Sequence, residues 1–250
     1  SLLGIRLLQR TTRKLSLTEA GESYHAHCIA MREQAEAAEE AVALVRTEPR
    51  GTIRVTCPVT LAQTALAPIL PAFIAAHPHV RIELKATNRV VDLVQDGVDV
   101  ALRIRQTLDD SNTSLVVRHL GTTTTILVAA PSFPPVTSPA DLERLPTLAM
   151  SAADGRATWR LIGPRGEHLD VHHRPGCTAD DLLVLKTATV EGIGTTILPE
   201  SLCLDELRDG RLIRILPDWS LPVSNILAVF PSRRGMVPAV RRFLDFLAAN

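Results

Sequence analysis

The sequence predicts two α/β lobes preceded by one long helix. Three observations carry this. A stretch of about 29 residues near the start repeats apolar residues at heptad spacing, strand-helix-strand alternation follows twice, and a final strand and helix must pack against an earlier layer.

The totals bound the class. The 250 residues are 46% apolar, enough for one large or two modest domains. Lys plus Arg and Asp plus Glu are both 27, so no global field draws the molecule to nucleic acid or membrane, and any basic site must be local. No run of eighteen wholly apolar residues occurs, nor an N-terminal apolar core with a small-residue cleavage site. The expectation is a cytoplasmic chain with no membrane partner. The four cysteines, Cys28, Cys57, Cys177 and Cys203, lack C-x-x-C spacing and are expected to be reduced, buried and inert.

Positive charge concentrates at the front, in RLLQRTTRKLSLTEAGESYH. Residues 7–10 and 15–17 read as two short strands around a polar turn; Thr18 then supplies an N-cap oxygen, and Glu19 and Glu22 suit the positive end of a helix. That helix runs to about Arg46. Tyr24, Met31, Ala38 and Val45 repeat every seven residues, as do Cys28, Ala35 and Val42, which makes a seam on a rod of roughly 43 Å. No long apolar segment of matching period lies elsewhere, so the seam is expected to pair with a second copy, an ordinary surface helix being the alternative.

Glu48-Pro49-Arg50-Gly51 ends the rod. Ile53, Val55 and Cys57 then alternate as a strand, Thr60 can cap a helix to about Ala76, and Val80, Ile82 and Leu84 make a second strand. A short helix over Val90–Gln95 ends at Gly97, Val98–Ile104 forms a third, parallel strand, and residues 115–120 extend the layer. The second unit has strands near 126–130, 147–150 and 169–173, a capped helix from Thr178 and a strand over Gly194–Leu198. Ile226–Phe230 and a helix from Val237 to Ala248, apolar at Val240, Phe243, Leu244 and Leu247, are expected to return to the first lobe. Two crossings between lobes leave a cleft at the carboxyl ends of the strands, where open α/β sheets bind ligands.

The opening stretch LGIRLLQRTTRKLSLTEAGE resembles the wing and linker-helix start of LysR-type transcriptional regulators. The likeness continues through GTIRVTCPV, LAPILPAFIAAHPHVRIEL, VDLVQDGVDVALRI and VEGIGTTILPESL, nearly the whole chain. It implies a transcription factor with a DNA-binding winged helix-turn-helix, a linker helix that pairs protomers into a homodimer or tetramer, and a periplasmic-binding-protein-like (type II) effector domain that senses a small molecule. Only the wing lies within the sequence, so the recognition helix is expected ahead of Ser1, and this portion is expected to bind DNA weakly and without sequence preference. The implied organisation is a wing remnant at 1–17, a linker helix at 18–48, lobe I at 51–124 with 224–250, and lobe II at 125–223.

On this reading Arg10, Thr11, Thr12 and Arg13, with Arg6 and Lys14, hold DNA phosphates in the intact protein, since cations release counterions and hydroxyls donate to phosphate oxygens. The effector is expected at the turn Pro58-Val59-Thr60, whose amides and hydroxyl suit an anion or carbonyl, with Thr64 one helical turn on. Thr60 can equally cap its own helix. Arg103, at the end of the third strand, either meets the ligand or pairs with Asp99 or Asp110. Thr123 and Thr125 belong to a threonine run at the crossing, where the resembled subgroup commonly carries arginines; their hydroxyls favour a less anionic effector, and plain sheet structure explains the run as well. Ser151 lies at a candidate lip that turn chemistry also explains, and Gly192 and Gly194 read as structural.

Rival chemistries lack parts. His172 and His173 are adjacent on a strand and point to opposite faces, so they do not chelate together with His168. Cys57, beside a helix start, is read as a core residue over a redox sensor. No nucleophile elbow, phosphate loop or zinc helix occurs, and neither enzymatic activity nor a cofactor is expected. The alternative function is a solute-binding protein of a transport system.

Overall fold

The computed structural model describes residues 6–10, 15–43, 48–107, 115–231 and 236–250. A two-stranded antiparallel hairpin, β1 (Leu8–Arg10) and β2 (Leu15–Leu17), leads into α1 (Glu19–Ala43). Thr18 caps that helix: its Oγ1 accepts from the Gly21 amide at 3.0 Å and donates to the Arg6 carbonyl at 2.7 Å. Gly21 is required here, because a Cβ would overlap the Leu7 carbonyl oxygen. Tyr24 and Met31, on the expected seam, are 44% and 61% exposed in the single chain.

The first sheet has the order β4-β3-β5-β14-β6, from β3 (Gly51–Cys57), β4 (Val80–Ala86), β5 (Val100–Arg105), β6 (Leu115–Thr123) and β14 (Ser224–Pro231). β3 is parallel to β4 and β5, whereas β14 runs antiparallel to β5 and β6. One face is covered by the helical run of residues 59–76, made of α2 (Val59–Leu61), a π-helical turn (Ala62–Leu66) and α3 (Ala67–Ala76), together with the terminal helix α6 (Pro238–Ala249). Phe73 and Phe243 meet edge to face at 5.2 Å in its centre. The expected return of the last strand and helix to this layer is observed, and Val240, Phe243, Leu244 and Leu247 are all buried. The other face carries Leu93, Val98, Ala101, Leu227 and Val229.

The chain crosses into the second lobe at Thr124. There β7 (Thr125–Ala129) lies between β12 (Thr196–Pro199) and β13 (Ile213–Arg214). Beside them sit a parallel pair, β8 (Leu148–Ala149) with β11 (Cys177–Thr178), and a hairpin, β9 (Ala157–Ile162) with β10 (His168–His173). Helices α4 (Leu182–Val190) and α5 (Glu200–Arg208) complete the layer. Gly192 takes φ +75° at the end of α4, and a Cβ on Gly194 would stand 3.1 Å from the Pro146 oxygen, so both glycines serve packing as read.

Four local expectations are corrected. Thr60 does not cap its helix; Pro58, extended at φ −55° and ψ 140°, precedes the first turn and no side chain of its own segment caps it. Thr178 lies in β11, and Asp181 is the cap of α4, its carboxylate accepting from the Leu183 amide at 2.9 Å. Residues 93–97 form a single turn in place of a helix: Asp92 Oδ1 takes the amides of Val94 and Gln95, both at 3.0 Å, as a cap does, and Gly97, at φ +62°, ends the segment after that one turn. Cys177 is exposed and Cys28 half-buried, so only Cys57 and Cys203 fit the expectation of burial. The run of residues 59–76 is long and apolar enough to cross a membrane, with mean hydropathy 1.7. Its Leu61, Leu66 and Phe73 instead pack into the first core.

Candidate functional site

The helix of residues 59–76 begins where β3 ends, at the carboxyl edge of the first sheet. Its first closed amide is that of Ala62, bonded to the Pro58 carbonyl at 2.9 Å, so the amides of Val59, Thr60 and Leu61 lack intrahelical acceptors. Val59 finds one outside: its N–H donates to Oδ1 of Asn88, at 3.1 Å. Asn88 Nδ2 in turn donates to the Asp180 carbonyl, at 2.7 Å, which belongs to the second lobe. Asn88 sits just past β4 and spans from the helix start of one lobe to the helix start of the other.

The second wall of this junction comes from parallel neighbours. β8 and β11 pair Leu148 with Cys177 and Ala149 with Thr178, and the Ala179 amide continues the ladder to the Ala149 carbonyl at 3.2 Å. Ser151 and Asp180 are therefore two residues past the ends of adjacent strands. Ser151 is exposed. The segment behind it makes a tight turn at Asp154 (φ 51°) and Gly155 (φ 70°), as its composition predicts.

The other expected residues divide. Thr60 is 9% exposed, and among the described residues its hydroxyl has no hydrogen-bond partner. Thr64 Oγ1 donates to the Thr60 carbonyl at 2.9 Å, which commits its proton to its own helix. Thr123 and Thr125 are half-buried at the two strand ends flanking the crossing; Thr124 between them accepts from the Glu200 amide at 3.1 Å. Arg103 shares the sheet face of Ala101, opposite the face covered by the helix of residues 59–76, and its Nη2 donates to the Val91 carbonyl at 3.4 Å. The structure thus links the Pro58-Val59-Thr60 turn to Asp180 through Asn88, sets Ser151 past the strand beside the one that leads to Asp180, and does not bring Arg103 to the same side. Asp110, offered as its partner, lies outside the described residues, as do Thr11, Thr12 and Arg13; Arg10 is described only as the last residue of β1.

Asn88, Asp180 and Asp181 were missed by the sequence reading. An Asn after a strand reads as turn punctuation, and no local spacing reports a contact 92 residues away. A groove of about 280 Å³ lies elsewhere, on the polar side of the first sheet between Arg54, Glu83, Lys85, Val91 and Asp96, with Arg54 Nε bonded to Glu83 at 3.2 Å.

Burial pushes the Cys57 thiol up to about 12, and the Cys203 thiol likewise, so neither supplies a thiolate at neutral pH. Among the described residues no group of three His, Cys, Asp or Glu is placed to hold a metal ion.

Comparison with known proteins agrees with this architecture. The family model described as the LysR substrate-binding domain matches residues 46–250. An HTH-type transcriptional regulator of Xanthomonas campestris is 35% identical over 99% of this chain and 73% of its own length. The HTH-type regulator PtxR of Pseudomonas aeruginosa is 33% identical over 98% of the chain and 78% of its own. Among solved structures, full-length AphB of Vibrio cholerae superposes with TM-score 0.73 at 30% identity, covering 100% of this chain and 85% of that one. CrgA of Neisseria meningitidis gives 0.71 at 29% identity, covering 99% and 84%.

Proposed function

The chain belongs to the LysR-type transcriptional regulators, and from that membership we propose how its parts divide the work of sensing and association. Residues 51–124 with 224–250 and residues 125–223 form the two effector-binding lobes, and residues 18–48 join them to the DNA-binding wing at 1–17. The alternative of a transport solute-binding protein leaves α1 without a purpose, and the relatives matched over nearly the whole chain are regulators.

The effector docks at Pro58-Val59-Thr60, between the lobes. The observation that carries this is a helix start with open amides at Thr60 and Leu61, an unspent Thr60 hydroxyl and no cap from its own segment. Such a start accepts a carboxylate or carbonyl oxygen. Ser151, past the strand beside the one that leads to Asp180, supplies a hydroxyl from the second lobe, and Thr123 and Thr125 flank the crossing. Thr64 supports the rim indirectly, through the Thr60 carbonyl, whereas Arg103 holds the Val91 carbonyl on the opposite face of the sheet. The effector acts by binding one arrangement of lobes or protomers better than another, since only differential affinity moves an equilibrium.

Association uses surfaces that a single chain leaves apolar and exposed. Tyr24 and Met31 mark the α1 seam, and Ala67, Pro68, Ala72 and Ile74 line the outer side of the helix of residues 59–76. A second copy of the chain covers both, giving a cytoplasmic homodimer or tetramer that holds promoter DNA through its wings, with Arg10, Thr11, Thr12 and Arg13 on phosphates.

The test is a thermal-shift screen of small carboxylates, each hit then titrated against wild type and Thr60→Val. Removing one hydrogen bond to a charged oxygen should weaken binding about tenfold. Equal affinity, with the melting curve unchanged, refutes the placement of the effector.

A further inference from the structure

We propose that Asn88 is an effector-displaceable latch, which ties the angle between the lobes to the state of a single amide, the Val59 N–H. The inference rests on the effector reading above and adds the means by which occupancy reaches the second lobe.

One carboxamide makes both bonds. Its oxygen accepts from Val59 at 3.1 Å and its nitrogen donates to Asp180 at 2.7 Å. Val59 offers only a donor and the Asp180 backbone oxygen only an acceptor, so one orientation of the planar amide satisfies both and a flipped one satisfies neither. Both ends are anchored. On the first lobe the Thr87 amide bonds the Cys57 carbonyl at 2.8 Å, extending the β3–β4 ladder to the residue before Asn88. On the second, Asp180 lies between the Ala179 amide, held by Ala149, and Asp181, which caps α4. Moving either helix start strains the link.

The Val59 amide has one proton. An effector oxygen that settles on the amides of Val59, Thr60 and Leu61 competes with Asn88 Oδ1 for it. When Oδ1 is displaced, the side chain loses the partner that fixes its rotamer, and the bond from Nδ2 to Asp180 goes with it. Occupancy of the helix start thereby frees this edge of the second lobe.

Spin labels at Arg242→Cys on the first lobe and Glu143→Cys on the second read the interlobe distance. Cys28 and Cys177 are replaced by serine, and labelled chains are diluted into unlabelled protein so that distances within one protomer are seen. Three variants separate the parts of the latch without any ligand. Asn88→Ala removes both bonds. Asn88→Asp keeps the acceptor and deletes the donor. Val59→Pro deletes the amide proton and leaves both groups of Asn88 in place, at a first-turn position where proline is favoured and after Pro58, whose extended backbone suits a following proline.

All three should shift or broaden the distance distribution relative to wild type, and Asn88→Asp should keep the Val59 amide protected from hydrogen exchange while Asn88→Ala should expose it. An unchanged distribution in Asn88→Asp or in Val59→Pro overturns the latch. If that happens while Thr60→Val still weakens effector binding, the latch alone fails; a distance change in all three with no effect of Thr60→Val sinks the effector placement alone.

Discussion

His173 gives the second lobe a built-in sensitivity to acid. The residue is 4% exposed, its ring tilted 45° against that of Trp159 with centroids 4.0 Å apart, and its Nδ1 lies 2.7 Å from the Thr147 hydroxyl. Its Nε2 is buried with no hydrogen-bond partner among the described residues. A second proton on this ring has no acceptor, and burial lowers the His173 pKa from 6.5 to about 4. The folded state therefore refuses a proton that the unfolded chain accepts. Stability from the neutral ring is fully present above pH 6.5, drains as pH falls from there, and is exhausted near pH 4, below which both states are protonated. At ~1.4 kcal/mol per pH unit, that window amounts to about 3 kcal/mol.

The assay is urea unfolding of wild type and of the double variant Thr147→Val/His173→Phe between pH 7.5 and 4.5, followed by circular dichroism. Removing both partners avoids leaving an orphaned hydroxyl. Every other titrating group is common to the two proteins, so the difference in stability isolates the imidazole. Wild type should lose about 2–3 kcal/mol relative to the variant on going from pH 7.5 to 4.5. A difference that stays flat across that range refutes the reasoning, because it means the ring takes its proton as easily folded as unfolded.

Two further outcomes follow from burial and exposure. Lys186 Nζ lies 2.8 Å from Glu206 Oε1 with both side chains largely buried, and Glu206 Oε2 has no partner among the described residues. Burial raises the Glu206 pKa, but the Lys186 hydrogen bond, its own backbone amide and the charges of Lys186 and Arg211 outweigh it, holding the group below its ordinary range. Glu206→Leu should cost about 3–5 kcal/mol in urea unfolding by stranding Lys186, and Lys186→Met added to it should restore most of the loss. On α1, Tyr24→Glu with Met31→Glu should convert the protein to monomers in light scattering while its melting curve below the dissociation range is retained, since both side chains are exposed in the single chain.

Periodicity was legible wherever burial follows it. The alternation of Ile53, Val55 and Cys57 and the spacing of Val240, Phe243, Leu244 and Leu247 each mark a face that packs on the first core, and packing is what those patterns encode. Helix starts were less legible, for one reason. Alongside the side-chain caps of α1 and α4, three helix starts rest on proline backbone: Pro58 precedes Val59, Pro199 precedes Glu200, and Pro238 is the first residue of α6. Proline presets the dihedral angles that a hydroxyl cap would otherwise stabilise. A nearby threonine such as Thr60 then looks like a cap and is left free for other use. The 90–95 segment failed differently, since Asp92 caps a start that Gly97, at φ +62°, ends after a single turn. The junction itself was half legible. Its first wall is one local turn, and its second depends on strands that the fold alone brings beside it.

The two helix starts at that junction are treated unequally, and the inequality bears on what binds there. α4 carries its own carboxylate cap in Asp181, which satisfies the Leu183 amide and offsets the positive end of the helix dipole. The helix of residues 59–76 receives only the neutral carboxamide of Asn88, from outside its own segment. Among the described residues no anion caps its dipole, an arrangement worth about 0.3–1 kcal/mol to any carboxylate that arrives. Had position 88 been aspartate, the resident charge would satisfy the helix, repel an anionic effector and lose the donor to Asp180. Asparagine offers an acceptor to the helix start and a donor to the second lobe without placing a charge between them.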